Sequence, residues 1–164
     1  MKIIFLLILS ALLLNGCIDC GPQQELTIQL SIQAFPDTLL LKKITSPGAI
    51  DQSVFEEQTK NYSSKSYYAG SFDFTLPISL NADSTTYIFE FENRTDTLSL
   101  FYSRDFFHKD GCGFVVDAKR PASLTETKST FKDVYVDYQS YILDGKVPVF
   151  GIKDGQGITV LVSL

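Results

Sequence analysis

Histidine is almost missing from this chain: His108 stands alone among 164 residues, beside three cysteines and no tryptophan. That scarcity narrows the routes to proton transfer and metal binding, both of which lean on imidazole. No Gly-x-Ser-x-Gly elbow presents a nucleophile, and the carboxylates are scattered, with no pair set apart for acid–base work. No catalytic residue can be assigned, and the reading is non-enzymatic. Basic residues are also in deficit, 14 Lys and Arg against 19 Asp and Glu, a formal net charge of −5. Nucleic-acid affinity rests on neutralised phosphates, so this balance argues against a nucleic-acid partner. Nor does it favour adsorption to anionic lipid headgroups. A helical period of useful length is absent as well.

What is abundant is aromatic: 13 Phe and 8 Tyr, which together with Thr, Ser, Val and Ile favour strands. Leu26, Ile28, Leu30 and Ile32 alternate with Thr27, Gln29, Ser31 and Gln33, the period-two mark of a strand with one buried face. Leu39 to Thr45 reads as a second strand, with Lys42 and Lys43 toward solvent. Phe72, Phe74 and Leu76 make a third, and Pro77 places it at an edge or a bend. Tyr87, Phe89 and Phe91, then Leu98, Leu100 and Tyr102, flank the polar turn Asn93-Arg94-Thr95-Asp96 and predict a hairpin. Further strands are expected at Cys112–Ala118, with Phe114, Val116 and Ala118 on one face, at Phe131–Tyr138, at Val147–Phe150 and at Ile158–Leu164. Eight to nine short strands separated by turns predict an all-β, immunoglobulin-like antiparallel sandwich of two sheets.

The first seventeen residues read differently. Lys2 precedes an apolar run from Ile3 to Leu14, and Asn15, Gly16 and Cys17 follow. A basic start, a short apolar core and a small residue before a cleavage point make an export signal. A bilayer span needs roughly 20 apolar residues, so this run is too short to cross. Leu14-Asn15-Gly16-Cys17 resembles the bacterial lipoprotein signal, in which the cysteine is lipidated and becomes the new N-terminus. The chain then divides into a signal peptide (1–16), a lipidated tether from Cys17 (17–24) and a sandwich domain (25–164). Loss of Lys2 takes the net charge to −6, so attachment to the membrane would come from the lipid, at about 0.8 kcal/mol per buried CH₂. With Cys17 acylated, Cys20 and Cys112 remain. An export compartment permits a bridge between them, worth roughly 4–5 kcal/mol in the chain-entropy account. The other reading is two unpaired thiols.

Four further features invite chemistry. His108-Lys109-Asp110-Gly111-Cys112 presents His-x-Asp-x-Cys, three ligand types that would share a face on an extended strand. Asp110-Gly111 interrupts that alternation, and structural zinc sites use four closely spaced Cys or His ligands, so neither metal nor cofactor is expected. Lys109-Asp110-Gly111-Cys112-Gly113 and Lys153-Asp154-Gly155-Gln156-Gly157 share Lys-Asp-Gly-x-Gly, but Asp-Gly is the preferred pair for tight turns and neither segment completes a phosphate or calcium loop. The stretch 56–68 is polar and holds Tyr62, Tyr67 and Tyr68. It reads either as a ligand-binding loop or as a solvated loop whose tyrosines cover a sheet edge. A buried cluster of Asp105, His108 and Asp110 would be the mark of an enzyme.

Leu76-Pro77-Ile78-Ser79-Leu80-Asn81, Asp83-Ser84-Thr85-Thr86-Tyr87-Ile88-Phe89, Thr95-Asp96-Thr97-Leu98-Ser99-Leu100-Phe101-Tyr102 and Gly111-Cys112-Gly113-Phe114 together resemble a family of uncharacterised Bacteroidota lipoproteins, from the lipobox to about Tyr138. The resemblance implies a small, lipid-anchored β-rich envelope protein. Surface-exposed lipoproteins of that phylum carry an acidic cluster after the lipidated cysteine, and Ile18-Asp19-Cys20-Gly21 offers one acid. An outer-membrane protein facing the periplasm is the expectation. Its domain would bind or scaffold another envelope component, or alternatively hold a small ligand or glycan on the 56–68 segment.

Overall fold

The computed structural model describes residues 26–34, 39–49, 51–63, 71–109, 113–141 and 157–164. Ten strands and one helix are formed among them: β1 (Thr27–Gln33), β2 (Leu41–Thr45), α1 (Ser53–Ser63), β3 (Ser71–Pro77), β4 (Ser84–Phe91), β5 (Thr95–Phe101), β6 (Ser103–Lys109), β7 (Gly113–Lys119), β8 (Thr127–Ser129), β9 (Asp133–Tyr138) and β10 (Ile158–Ser163). One four-stranded sheet runs β3-β1-β10-β9 and another β2-β4-β5-β8, while β6 and β7 form a separate two-stranded ribbon. The architecture is that of a β-sandwich.

Period-two burial builds its interior. Ile28, Leu30 and Ile32 of β1, Phe72, Phe74 and Leu76 of β3, and Ile158, Val160 and Val162 of β10 face Tyr87, Phe89 and Phe91 of β4 and Leu98 and Leu100 of β5. Aromatic rings interlock between the sheets: Phe72 lies 6.0 Å from Phe91, and Phe89 lies 5.8 Å from both Phe74 and Phe131. Tilted and edge-on ring pairs at such spacings add to the area they bury.

Several expectations need correction. The first sheet is mixed rather than antiparallel, because β1 runs parallel to β10 with Leu30 opposite Val160. Periodicity reports which face is buried, and carries no information on which strand lies alongside. The hairpin is formed, but its turn is one step tighter than Asn93–Asp96. β5 begins at Thr95, and Asp96 shares the inward parity of Leu98 and Leu100. Asp96 is tolerated there because the Arg94 guanidinium donates twice to it, at 2.6 and 2.8 Å, and the Thr130 hydroxyl donates once more. Strand β7 exists, but Phe114 points to solvent at 84% exposure, since among the described residues no second layer lies over the ribbon tip. Strands β6 and β8 were not foreseen. The strand expected at Val147–Phe150 lies outside the described residues.

The segment before β3 holds a helix where a loop was expected. Gln52 accepts from the amides of Phe55 and Glu56, and the Asp51 carboxylate accepts from Ser53 N–H at 2.8 Å; hydrogen bonding from the Ser53 side chain first, and its amide second, lowers the Asp51 pKa from the ordinary value. Phe55, Thr59 and Tyr62 then recur at i, i+4 and i+7 on the face turned to the sandwich.

This helix closes one side of the molecule. The Ile44 amide on edge strand β2 donates to the Thr59 hydroxyl at 3.1 Å. On edge strand β3, Tyr62 donates its hydroxyl to the Asp73 carbonyl at 2.7 Å and accepts from the Asp73 amide at 2.8 Å. One hydroxyl thus replaces a missing neighbour strand at that position. Pro77 has the parity of Asp73, so its missing N–H faces outward from the ladder, where a proline is tolerated.

Candidate functional site

The functional geometry gathers at the end of the sandwich where β1 begins, here called the near end. Thr27 pairs with Pro77 there, Ser84 pairs with Phe101, and β10 begins beside Gln29. The connections 46–52 and 78–83 meet at this end, and the chain passes through Tyr102 into the ribbon.

Local chemistry shapes both connections. Ser46-Pro47-Gly48-Ala49 is a tight turn, closed by the Ala49 amide on the Ser46 carbonyl at 3.2 Å. Proline presets the first central residue, and Gly48 at φ +83° takes the left-handed second position. Gln52 donates to the Ser46 carbonyl at 2.8 Å, tying this turn to the start of α1. The facing connection is held by a closed ring of hydrogen bonds. Ser79 N–H donates to the Thr85 hydroxyl (2.8 Å), that hydroxyl donates to Tyr102 (2.7 Å), and Tyr102 donates to the Ser79 carbonyl (2.6 Å). Tyr87 donates to the Pro77 carbonyl at 2.9 Å. Arg104 reaches from β6 to the Leu80 carbonyl and the Asp83 carboxylate, at 2.6 and 2.7 Å. Burial raises the pKa of Tyr87 and Tyr102 above the ordinary tyrosine value, so both stay protonated as donors.

Between the two connections lies a cleft of about 390 Å³, lined by Ser46 to Ala49, Asp51, Pro77 to Ala82, Ser84 and Thr85. Its volume falls in the usual range for small-ligand sites. Among the described residues no basic side chain lines it, and Asp51 is the one carboxylate. The Ser46 hydroxyl is committed to the Thr86 carbonyl, Thr85 to the ring above and Asp51 to the helix start. The lining suits a small neutral group held by shape and backbone polarity. It has no base beside a nucleophile.

A buried carboxylate underlies the ribbon. Asp117 accepts from the Tyr141 amide at 2.9 Å, the Ser140 hydroxyl at 2.7 Å and the Ala118 amide at 3.0 Å. Tyr141 in turn donates to the Thr27 carbonyl, and its ring lies where a side chain on Gly157 (φ +71°) would stand. The base of the ribbon is thereby locked to the point at which the chain enters β1.

Of the residues singled out from sequence, Tyr62 sits on α1 against Phe72 and Phe74, with ring centroids 5.3 and 5.0 Å away. It covers a sheet edge. Tyr67, Tyr68, Cys17, Cys20, Cys112 and Asp110 lie outside the described residues. Asp105 and His108 are both exposed and fall on opposite faces of β6. Asp105 pairs with Lys119, while the His108 ring meets Phe114 edge-on at 5.7 Å. The structure does not bring these two together. Among the described residues no group of three or more His, Cys, Asp or Glu side chains is placed to hold a metal, and no helix is long and apolar enough to cross a membrane. Sequence reasoning missed the ring that joins Ser79, Thr85 and Tyr102. Its partners are 6 and 23 residues apart in the chain, and no local pattern links them.

Comparison of the chain with protein families, with curated proteins and with solved structures found no match.

Proposed function

We propose that this chain is a lipid-anchored envelope protein, held to a bacterial membrane by an acylated Cys17, whose β-domain is a non-enzymatic binding or scaffolding module for another envelope component. The observation that carries the reading is the stretch Leu14-Asn15-Gly16-Cys17 behind an apolar run, followed by only a short tether before β1. The resemblance to uncharacterised Bacteroidota lipoproteins supports the same reading, and with it an outer-membrane location facing the periplasm. The finer description of the domain as an immunoglobulin-like sandwich belongs to this proposal too. Its support is the two four-stranded sheets and their aromatic interior. Fractionation tests the anchor: Cys17→Ser is expected to move the protein from the membrane pellet to the soluble fraction, and unchanged pelleting contradicts it. Cross-linking in intact cells tests the module, with one envelope partner recovered at comparable amount as the expected outcome.

A second reading, a small-ligand or glycan site, is favoured by one observation, the cleft of about 390 Å³ at the near end. Its committed Ser46 and Thr85 hydroxyls, and an Asp51 carboxylate held by the start of the helix, fit recognition better than turnover. Ala82 lines this cleft, so Ala82→Trp is expected to abolish any binding found in a glycan screen while leaving the fold intact.

A further inference from the structure

We infer that the tip of the β6–β7 ribbon is a second membrane contact, in which Phe106 and Phe114 dip into the lipid interface beside the acyl anchor. This rests on the reading of Cys17 given above. The ribbon pairs Phe106 with Val116 and His108 with Phe114, which places all four side chains on one face, together with Arg104 and Ala118. Along that face burial falls away steadily. Ala118 is fully buried and Val116 packs against the core, whereas Phe106 is 60% and Phe114 84% exposed. The Arg104 guanidinium lies 5.8 Å from the Phe106 ring, so cation and aromatics share one surface. Aromatic rings at an exposed tip, with a cation behind them at the ribbon base, have the character of a membrane-interface contact.

The occupant follows from where the chain outside the described residues must go. β1 begins at the near end, where the Ile78 amide donates to the Leu26 carbonyl, and the ribbon leaves from that same end. Only eight residues separate Cys17 from Leu26, a reach of roughly 30 Å at full extension. An acylated Cys17 therefore holds the ribbon within reach of the bilayer, and the second contact becomes effectively intramolecular. Two rings at a ribbon tip offer far less than the roughly 800 Å² per partner of a stable protein interface. They suffice for a tethered domain that needs only orientation.

The chain contains no tryptophan, so Phe114→Trp gives the full-length lipidated protein a single reporter at the tip. Tyr135→Trp on β9, 63% exposed on the outer face of the first sheet, is the control. Both are reconstituted into phosphatidylethanolamine–phosphatidylglycerol vesicles with and without bromine on the acyl chains, and the mass of the N-terminal peptide is read on the same preparation. The expected result is a roughly twofold loss of emission for the ribbon reporter and none for the control, as burial of an aromatic at the lipid boundary requires. If Cys17 is acylated and the ribbon reporter keeps its emission, the inference is overturned and the anchor stands. If the ribbon reporter is shielded from aqueous iodide yet untouched by bromine, a protein covers the tip and the inference is overturned too. If Cys17 proves unmodified, the anchor reading falls. Quenching of the ribbon reporter by added vesicles then upholds the lipid contact on its own, and no quenching removes both.

Discussion

The side of the sandwich covered by α1 and the ribbon that leaves its near end treat exposed strands in opposite ways. On the covered side, Thr59 and Tyr62 meet backbone groups of β2 and β3 that would otherwise stand open, and Phe55 fills the space behind them. On the ribbon, the pairing is just as regular but the apolar rings at its tip meet no second layer among the described residues. Among the described residues the sandwich leaves no buried side-chain polar atom without a partner. The lesson is one of division: the sandwich buries its rings between two sheets, while the ribbon carries two exposed rings, Phe106 and Phe114, on one projecting element. That element sits where an anchored chain would face its membrane.

Mutations that remove equal ring volume from the two regions give the widest contrast. Phe89→Ala, in the middle of the ring stack, is expected to lower unfolding stability by about 3–5 kcal/mol in urea titration. Phe114→Ala should change it by less than about 0.5 kcal/mol. Equal losses at both positions would mean that the ribbon tip is part of the core. Next in size comes the ring at the near end. Tyr102→Phe leaves the Ser79 carbonyl and the Thr85 hydroxyl without their partner and should cost about 1–3 kcal/mol. The smallest effect belongs to the covered edge. Tyr62→Phe keeps the ring contacts but strips both hydrogen bonds from Asp73, for about 1 kcal/mol and faster amide hydrogen exchange at Asp73.

Alkaline pH separates the regions in another way. Burial raises the pKa values of Tyr87, Tyr102, Tyr138 and Tyr141 above the ordinary value of 10.0. In the unfolded chain these phenols lose their protons first, so above pH 10 the unfolded state binds fewer protons than the folded one. The stability they contribute is complete below that pH and is lost as pH rises toward their folded values. Melting temperatures taken between pH 8 and pH 11 should therefore be level at first and then fall. All four tyrosines lie in the sandwich or at its near end; on the ribbon, the hydrogen bond from Lys119 to Asp105 raises the lysine pKa and acts in the same direction.

How much of this could be read from the chain depends on whether a local pattern carries the information. β1, β3, the β4–β5 hairpin and β10 each bury one face against a core, and their alternation shows it plainly. The helix escaped notice because its inward face is Phe55, Thr59 and Tyr62, with a polar residue at the centre that serves the β2 edge rather than the interior. β6 hides for a related reason: Phe106 faces solvent, so burial there does not follow residue type. Lys42 and Lys43 of β2 both face solvent, as the sequence reads them, and a register shift between Leu41 and Lys43 accompanies this. Phe114, Val116 and Ala118 share one face, as their parity predicts. What fails is the assumption that a face buried at its base stays buried along its length. The parallel pairing of β1 with β10 and the ring around Tyr102 join distant segments, which no period can announce.

The account stands most directly on the chemistry of residue 17. Mass analysis of the N-terminal peptide, released from protein extracted from native membranes, should show a chain beginning at Cys17 and bearing acyl groups. A chain that retains Met1, or that starts elsewhere with an unmodified terminus, would contradict the anchor and the orientation built on it.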